Sequence, residues 1–353
     1  LVALCACVAL ADLTPRAVDR ALYALGRAPT PGALLTNVAS LLRASLAAQS
    51  WTPRALELAD AVAPFASVEL ERRRQGVRVA AARRHDIARE ETVMAEVLAW
   101  ADVSGDPEAR ADAEGWLGRL RYRQARYLDA AAAHREAARG QTWASARVAS
   151  ELNAASALLE AGSHREALTE ARAARERGDV ARHGFFVAKA GWVLRAAQYR
   201  LGEADAPDVG LVDAAGEVSS EMEGFLAITE AAVAWRGGMR DAARALANRA
   251  SAHWHGAGAT HAWVIARALA VACGEPATED ARREVVVCAA RCEAPGIGLQ
   301  ALALVAEDTR RDAGALDAAR DFVRRLPADQ RALRREVLSV GECEERLGLT
   351  SGG

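Results

Sequence analysis

From Gly115 to Gly140 the chain reads GWLGRLRYRQARYLDAAAAHREAARG, and this pattern has an echo one unit later. Tyr127, Ala130, Ala131, His134, Ala137 and Ala138 fall at i, i+3, i+4, i+7, i+10 and i+11, one continuous stripe on a helix. Ahead of it, Trp116, Leu117 and Leu120 form the buried side of an earlier helix, with a short turn near Gln124–Arg126. The echo, ASELNAASALLEAGSHREALTEARAARERGD, repeats the arrangement. Val148, Leu152, Ala155 and Leu159 stripe its first helix, Gly162 supplies the turn, and Ala167, Ala171 and Ala174 stripe its second. Ala130 and Ala167 are 37 residues apart. Alanine on both faces lets two helix axes approach closely, so the pair packs antiparallel. A single pair leaves an apolar face uncovered, and copies must stack to bury it.

Four further units follow with less regular spacing. FFVAKAGWVLRAAQYRL is a helix from about Phe185 to Leu201, stopped by Gly202, and its partner is interrupted by Pro207 and Gly210. A fourth unit turns at Gly237-Gly238. A fifth carries the stripe Ala262, Ile265, Ala266, Leu269, Ala270 and Cys273. A sixth runs from near Ile297 to Leu326-Pro327, and a more polar closing helix is expected from Gln330 to Leu347. The composition agrees with an all-helical chain: 51% hydrophobic, 26% charged and only 5% aromatic, with alanine and arginine dominant.

The phrases WLGRL…YLDAAAAHREAA and AASALLEAGSHREALTEARAA resemble tetratricopeptide repeats. The resemblance covers residues 110–327, about 60% of the chain. It implies an all-α, right-handed superhelix of antiparallel helix hairpins, a TPR-like solenoid. The segments before it carry LLRASL, AVAPFASVELER and RRHDIA. Their order is similar to the region that follows the nucleotide-binding core of STAND-type signalling ATPases. The resulting division is 1–50, a winged-helix-like or helical segment; 51–109, linking helices; 110–327, TPR-like repeats; and 328–353, a capping helix and tail. The opening LVALCACVALAD reads as a buried helix of a domain cut from a longer chain, the alternative being the tail of a secretory signal.

The residues that chemistry would need do not assemble in this sequence. A P-loop requires Gly-x-x-x-x-Gly-Lys-Ser/Thr, and the one lysine, Lys189, follows no glycine-rich loop. No Gly-x-Ser-x-Gly elbow and no His-Glu-x-x-His helix is present. His85-Asp86 matches a pair used by metal phosphohydrolases, but it lacks their upstream histidine and reads as a polar surface pair. His253, His255 and His261 lie in HWHGAGATH, read as a glycine-rich connection too loose to hold a metal. Cys288 and Cys292, four apart, read as one apolar helix face with Val285 and Ala289. The remaining cysteines, Cys5, Cys7, Cys273 and Cys343, show no zinc spacing, and the set fits a reduced, cytoplasmic setting. No catalytic residue, cofactor or metal is therefore expected.

Net charge is −2, without the basic excess of a nucleic-acid binder. Arg72, Arg73, Arg74, Arg78, Arg83 and Arg84 form a local basic run. Flanking Glu69, Glu71, Asp86, Glu90 and Glu91 make it read as a solvated, salt-bridged helix face. What remains for function is the concave side of the superhelix, lined by the first helix of each unit. Its candidate groove residues are Arg119, Tyr122 and Arg123 in the best unit, with Ser156 and Glu160 in the next. The expected partner is a protein or peptide, with no nucleotide bound by this chain. The expected function is non-enzymatic sensing or scaffolding, as the regulatory C-terminal region of a larger STAND-type ATPase or regulator. Two other readings stand beside it: an envelope-associated TPR scaffold and a nucleic-acid-binding regulator fragment.

Overall fold

The computed structural model describes residues 68–83, 87–177, 183–257, 260–274, 278–292, 295–326 and 337–349. Among them every regular element is a helix, and there is no strand. The winged-helix-like segment 1–50, with Cys5 and Cys7, lies outside the described residues, as do His85 and Asp86. Two compact units part between Ala154 and Ala155, inside the repeat-like region.

The first unit contains α1 (Val68–Ala82), α2 (Ile87–Ser104), α3 (Pro107–Arg123) and α4 (Tyr127–Gly140). Asp106 caps α3 by accepting from the Glu108 amide at 2.9 Å, and Pro107 occupies the position where a missing N–H costs nothing. The α3–α4 hairpin turns at 124–126, where the sequence places it, and Ala125 sits there at φ 58. The stripe of α4 is buried at Ala130, Ala131, His134, Ala137 and Ala138, with Tyr127 at its start half-buried. Its closeness to α3 is set at Gly118, where an added Cβ would lie 2.8 Å from three atoms of the His134 ring. Gly140 stands in a similar relation to Ala111 at the other end of the hairpin. A second layer is apolar: Val93, Met94 and Val97 of α2 share a core with Val79, Ala82, Ala113 and Leu120.

Helix α5 (Ala144–Ala161) spans the division. Its predicted stripe, Val148, Leu152, Ala155 and Leu159, is buried throughout. Gly162 follows at φ 86, the left-handed turn that only glycine adopts cheaply.

The second unit continues with α6 (His164–Glu176), α7 (Gly184–Leu201) and the short α8 (Val209–Gly216). The helix before Gly202 is as read, and the expected irregularity around Pro207 resolves into eight residues capped by Asp208. Next come α9 (Ser220–Arg236), α10 (Arg240–Ala257), α11 (Thr260–Ala272), α12 (Glu279–Ala290), α13 (Pro295–Leu304), α14 (Ala306–Thr309), α15 (Ala313–Arg325) and α16 (Val340–Leu347). Sequence-adjacent helices pack together from α6 to α13, and one hydrophobic core runs from α7 to α16. Here too small residues set the approach: a Cβ on Gly224 would meet Trp254 at 2.8 Å, and one on Gly298 would meet Phe322 at 2.6 Å. Each buried alanine removes little apolar area, but it loses no rotamer freedom on folding. The gain comes from backbones packed closely over many turns.

Several expectations are corrected. His253 and His255 belong to α10 and His261 to α11, so the expected glycine-rich connection is much shorter than HWHGAGATH suggests. Cys292 lies just beyond the end of α12, yet it is buried in the same core as Val285 and Ala289, with Cys288 half-buried against that core. The closing helix starts at Val340, with Ser339 as its N-cap and a capping box to Glu342. It buries Val340, Cys343 and Leu347 and exposes Glu345 and Arg346.

Candidate functional site

The basic run on α1 divides once its partners are visible. Arg74 and Glu71 pair at 2.7 Å and are both buried, Arg78 pairs with Glu96 of α2, and Arg72 reaches Glu108 and Asp112 of α3. The salt bridges expected of this face are present, most of them to other helices, but the paired arginines are buried or half-buried where a solvated face was expected. The side chain of Arg73 and the residue Arg84 lie outside what is described. Arg83, at the end of α1, behaves differently from the arginines before it.

Arg83 belongs with Arg119 and Arg123, one turn apart on α3, and with Glu90 in the first turn of α2. Glu90 is fully buried. Its Oε2 accepts from Arg123, which also donates to the Arg83 carbonyl at 3.0 Å. Its Oε1 is buried without a hydrogen-bond partner. Burial pushes the Glu90 carboxyl above the usual range, against the pull of Arg123, Arg83 and Arg119.

Arg119 and Arg83 are both exposed, and neither guanidinium has a hydrogen-bond or ion-pair partner within the described structure. Even so, desolvation lowers both from the ordinary arginine value. For Arg119 the charge of Arg83 adds to it, while Asp112 and Glu90 oppose it. For Arg83, Glu90 opposes it and Arg123 adds. Both arginines stay charged, because their ordinary value is so high.

The groove residues named from the sequence separate into two groups. Arg119 is exposed, and Arg123, one turn on, is half-buried and donates to Glu90. Tyr122 is half-buried, and its ring meets Tyr127 edge-on with centroids 5.2 Å apart, bracing the α3–α4 turn. Ser156 and Glu160 fall in the second unit, and both are buried where exposure was expected. Glu160 pairs with Arg200 of α7 at 2.8 Å, and Arg200 also donates to the Leu159 carbonyl. Counting one helical face from a single stripe places Ser156 and Glu160 outward. A third helix packed on that face turns them inward.

The sequence reads Arg83 as part of a basic run, salt-bridged or facing nucleic acid, and Glu90 as one of the acids flanking it. The one sequence signal that could have raised Glu90 is its place beside the apolar Val93–Met94–Val97 face.

The second unit offers a cleft of about 1030 Å³ lined by α11, α12, α13, α14 and α16. Its charges balance, Arg282, Arg310, Arg311 and Arg346 against Glu307, Asp308, Glu342 and Glu345, with Arg282 and Asp308 3.6 Å apart. Among the described residues no cluster of histidine, cysteine and carboxylate could hold a metal ion. None of the described helices is long and apolar enough to cross a membrane.

No family model and no curated protein matches the chain. A solved structure of the same fold does: the crystal structure of a Rap protein complexed with competence and sporulation factor. It is 14% identical, has a TM-score of 0.56, and the match covers 95% of this chain and 93% of that one. The fold of the chain is therefore that of a TPR-like helical-repeat protein.

Proposed function

We propose that this protein is a non-enzymatic helical-repeat scaffold that binds a protein or peptide segment at the α2–α3 face of its first unit. One observation carries this reading: Arg83 and Arg119 are solvent-reachable, charged and uncommitted, next to an α3 whose other side is spent on packing. A solved relative of the fold is complexed with a factor, which agrees with a repeat fold used for recognition. The balanced ion pairs of Arg72, Arg74 and Arg78 leave little of the basic run for nucleic acid. Selection of displayed dodecapeptides on the 353-residue chain tests the reading. Binding should be saturable, and Arg119→Gln should weaken it about tenfold, about 1.4 kcal/mol. Peptides selected equally by the variant would place the site elsewhere.

A finer reading is that the chain is the regulatory, sensing region of a larger STAND-type ATPase or regulator. LLRASL, AVAPFASVELER and RRHDIA, in that order ahead of the repeats, support it. The coding sequence upstream of Leu1 tests it: a P-loop domain there agrees, and a basic segment with an initiating methionine just upstream contradicts it.

A further inference from the structure

We propose that the cleft of the second unit is a binding site for a small dipolar molecule of the amino-acid class, one that carries an ammonium, a carboxylate and an aliphatic body. The site is separate from the α2–α3 face and does not depend on the peptide-binding reading. Its volume of about 1030 Å³ is at the top of the range of small-molecule sites, roughly 300–1,000 Å³. Its apolar part consists of Ala303, Leu304 and Val305, which are buried, with Val271 and Ala272 half-buried. An aliphatic side chain laid against these residues removes apolar surface from water on both partners.

The charged lining is partly committed and partly free. Asp308 pairs with Arg282, Arg310 donates to the Ala306 carbonyl, and Glu342 accepts from Arg236 and Ser339. Glu307, Arg311, Glu345 and Arg346 are exposed, and their side chains have no hydrogen-bond or ion-pair partner among the described residues. A ligand of one sign is attracted by two of these groups and repelled by the other two, so net attraction needs both charges in one molecule. Arg346 has the best defined position. Its guanidinium carbon lies 5.7 Å from the Trp235 ring centroid, a cation–π contact that orients the group and leaves its forked donors without an acceptor. A carboxylate completes it. Glu345 precedes it on α16, and successive residues of a helix do not face one another. The two therefore do not neutralise each other, and Glu345 is left to take the ammonium.

Isothermal titration of the full chain with leucine tests this, beside three probes that each lack one feature. Glycine lacks the aliphatic body, 4-methylpentanoate the ammonium and 3-methylbutylamine the carboxylate. Leucine should bind saturably, and each of the other three about tenfold more weakly. Arg346→Gln and Glu345→Gln should each weaken leucine about tenfold. Arg346→Gln should leave 3-methylbutylamine at its wild-type level, and Glu345→Gln should leave 4-methylpentanoate at its own. Arg320→Gln, at an exposed pair on α15, controls for general charge loss and should change nothing. Circular dichroism of each variant establishes that it is folded. Absence of leucine binding up to its solubility overturns the proposal. Either single-charge probe binding as tightly as leucine overturns the dipolar assignment, and glycine doing so overturns the apolar contact. Leucine binding that survives both substitutions overturns the placement in the cleft.

Discussion

His134 shows how a single residue changes meaning once its neighbour is known. In a sequence it is a possible catalytic imidazole. In the fold it is buried on the α4 stripe, its ring against the bare backbone of Gly118. Three ring atoms 2.8 Å from where a Cβ would stand leave no room for a side chain, and a ring wedged between helices is slow to yield. Gly118→Val is therefore expected to destabilise the first unit by about 2 kcal/mol, within the cost of overpacking a core. His134→Ala in the same chain should restore part of that loss. A double-mutant cycle from denaturant unfolding measures the coupling, and strictly additive effects would show that the two do not meet.

At the scale of elements, the sequence is most informative where one stripe and one glycine decide the structure. The stripes of α4 and α5, the stops at Gly162 and Gly202, and the turn at Gly238 all follow from helical spacing and left-handed glycine. It is least informative at contacts between distant segments. Nothing in the spacing shows that Gln300 is buried on α13, accepting from the Val337 and Leu338 amides at 2.8 and 3.0 Å. Nor does it show that Arg236 of α9 donates to the Val337 carbonyl, and to Glu342 of α16 at 3.0 Å. These bonds fix the closing segment to the core of the second unit. The expected helix through 337–339 fails for the same reason, because those amides and carbonyls are used by other elements. Gln300→Leu should leave two buried amides unsatisfied at about 1–3 kcal/mol each. Hydrogen exchange at Val337 and Leu338 should then quicken well beyond the change at Leu226, and equal changes at all three sites would contradict the tie.

For the molecule as a whole, repeat likeness and compactness do not coincide. The sequence boundary at 109/110 follows where the repeats begin, whereas the units part at 154/155, because α2 and α3 share one apolar core. The candidate site depends on that sharing: Glu90 from the linking helices accepts from Arg123 of the first repeat-like hairpin, one turn from Arg119. The residues on α3 were legible from exposure on one helical face. Glu90 and Arg83 were not, since their roles arise only when helices meet.

Charge burial also gives the chain a pH response. Burial first, and then Arg200, holds His164 of α6 down to about 4, with Glu160 opposing. A histidine lowered in the folded state binds more protons when unfolded. Its contribution is therefore present above about 6.5 and is lost as pH falls toward 4. The unfolding midpoint should drop across that window, and His164→Gln should flatten the drop; an unchanged slope would remove His164 as its cause.

The α2–α3 face of the first unit is the proposed place where this scaffold receives a peptide, and hydrogen–deuterium exchange with and without the best selected dodecapeptide reads that contact residue by residue. Amides in the first turn of α2 and the last two turns of α3 should slow at least about threefold while those of α12 and α15 stay as they were. Saturable binding that leaves Glu90 and the segment from Gly118 to Arg123 unprotected would contradict the claim.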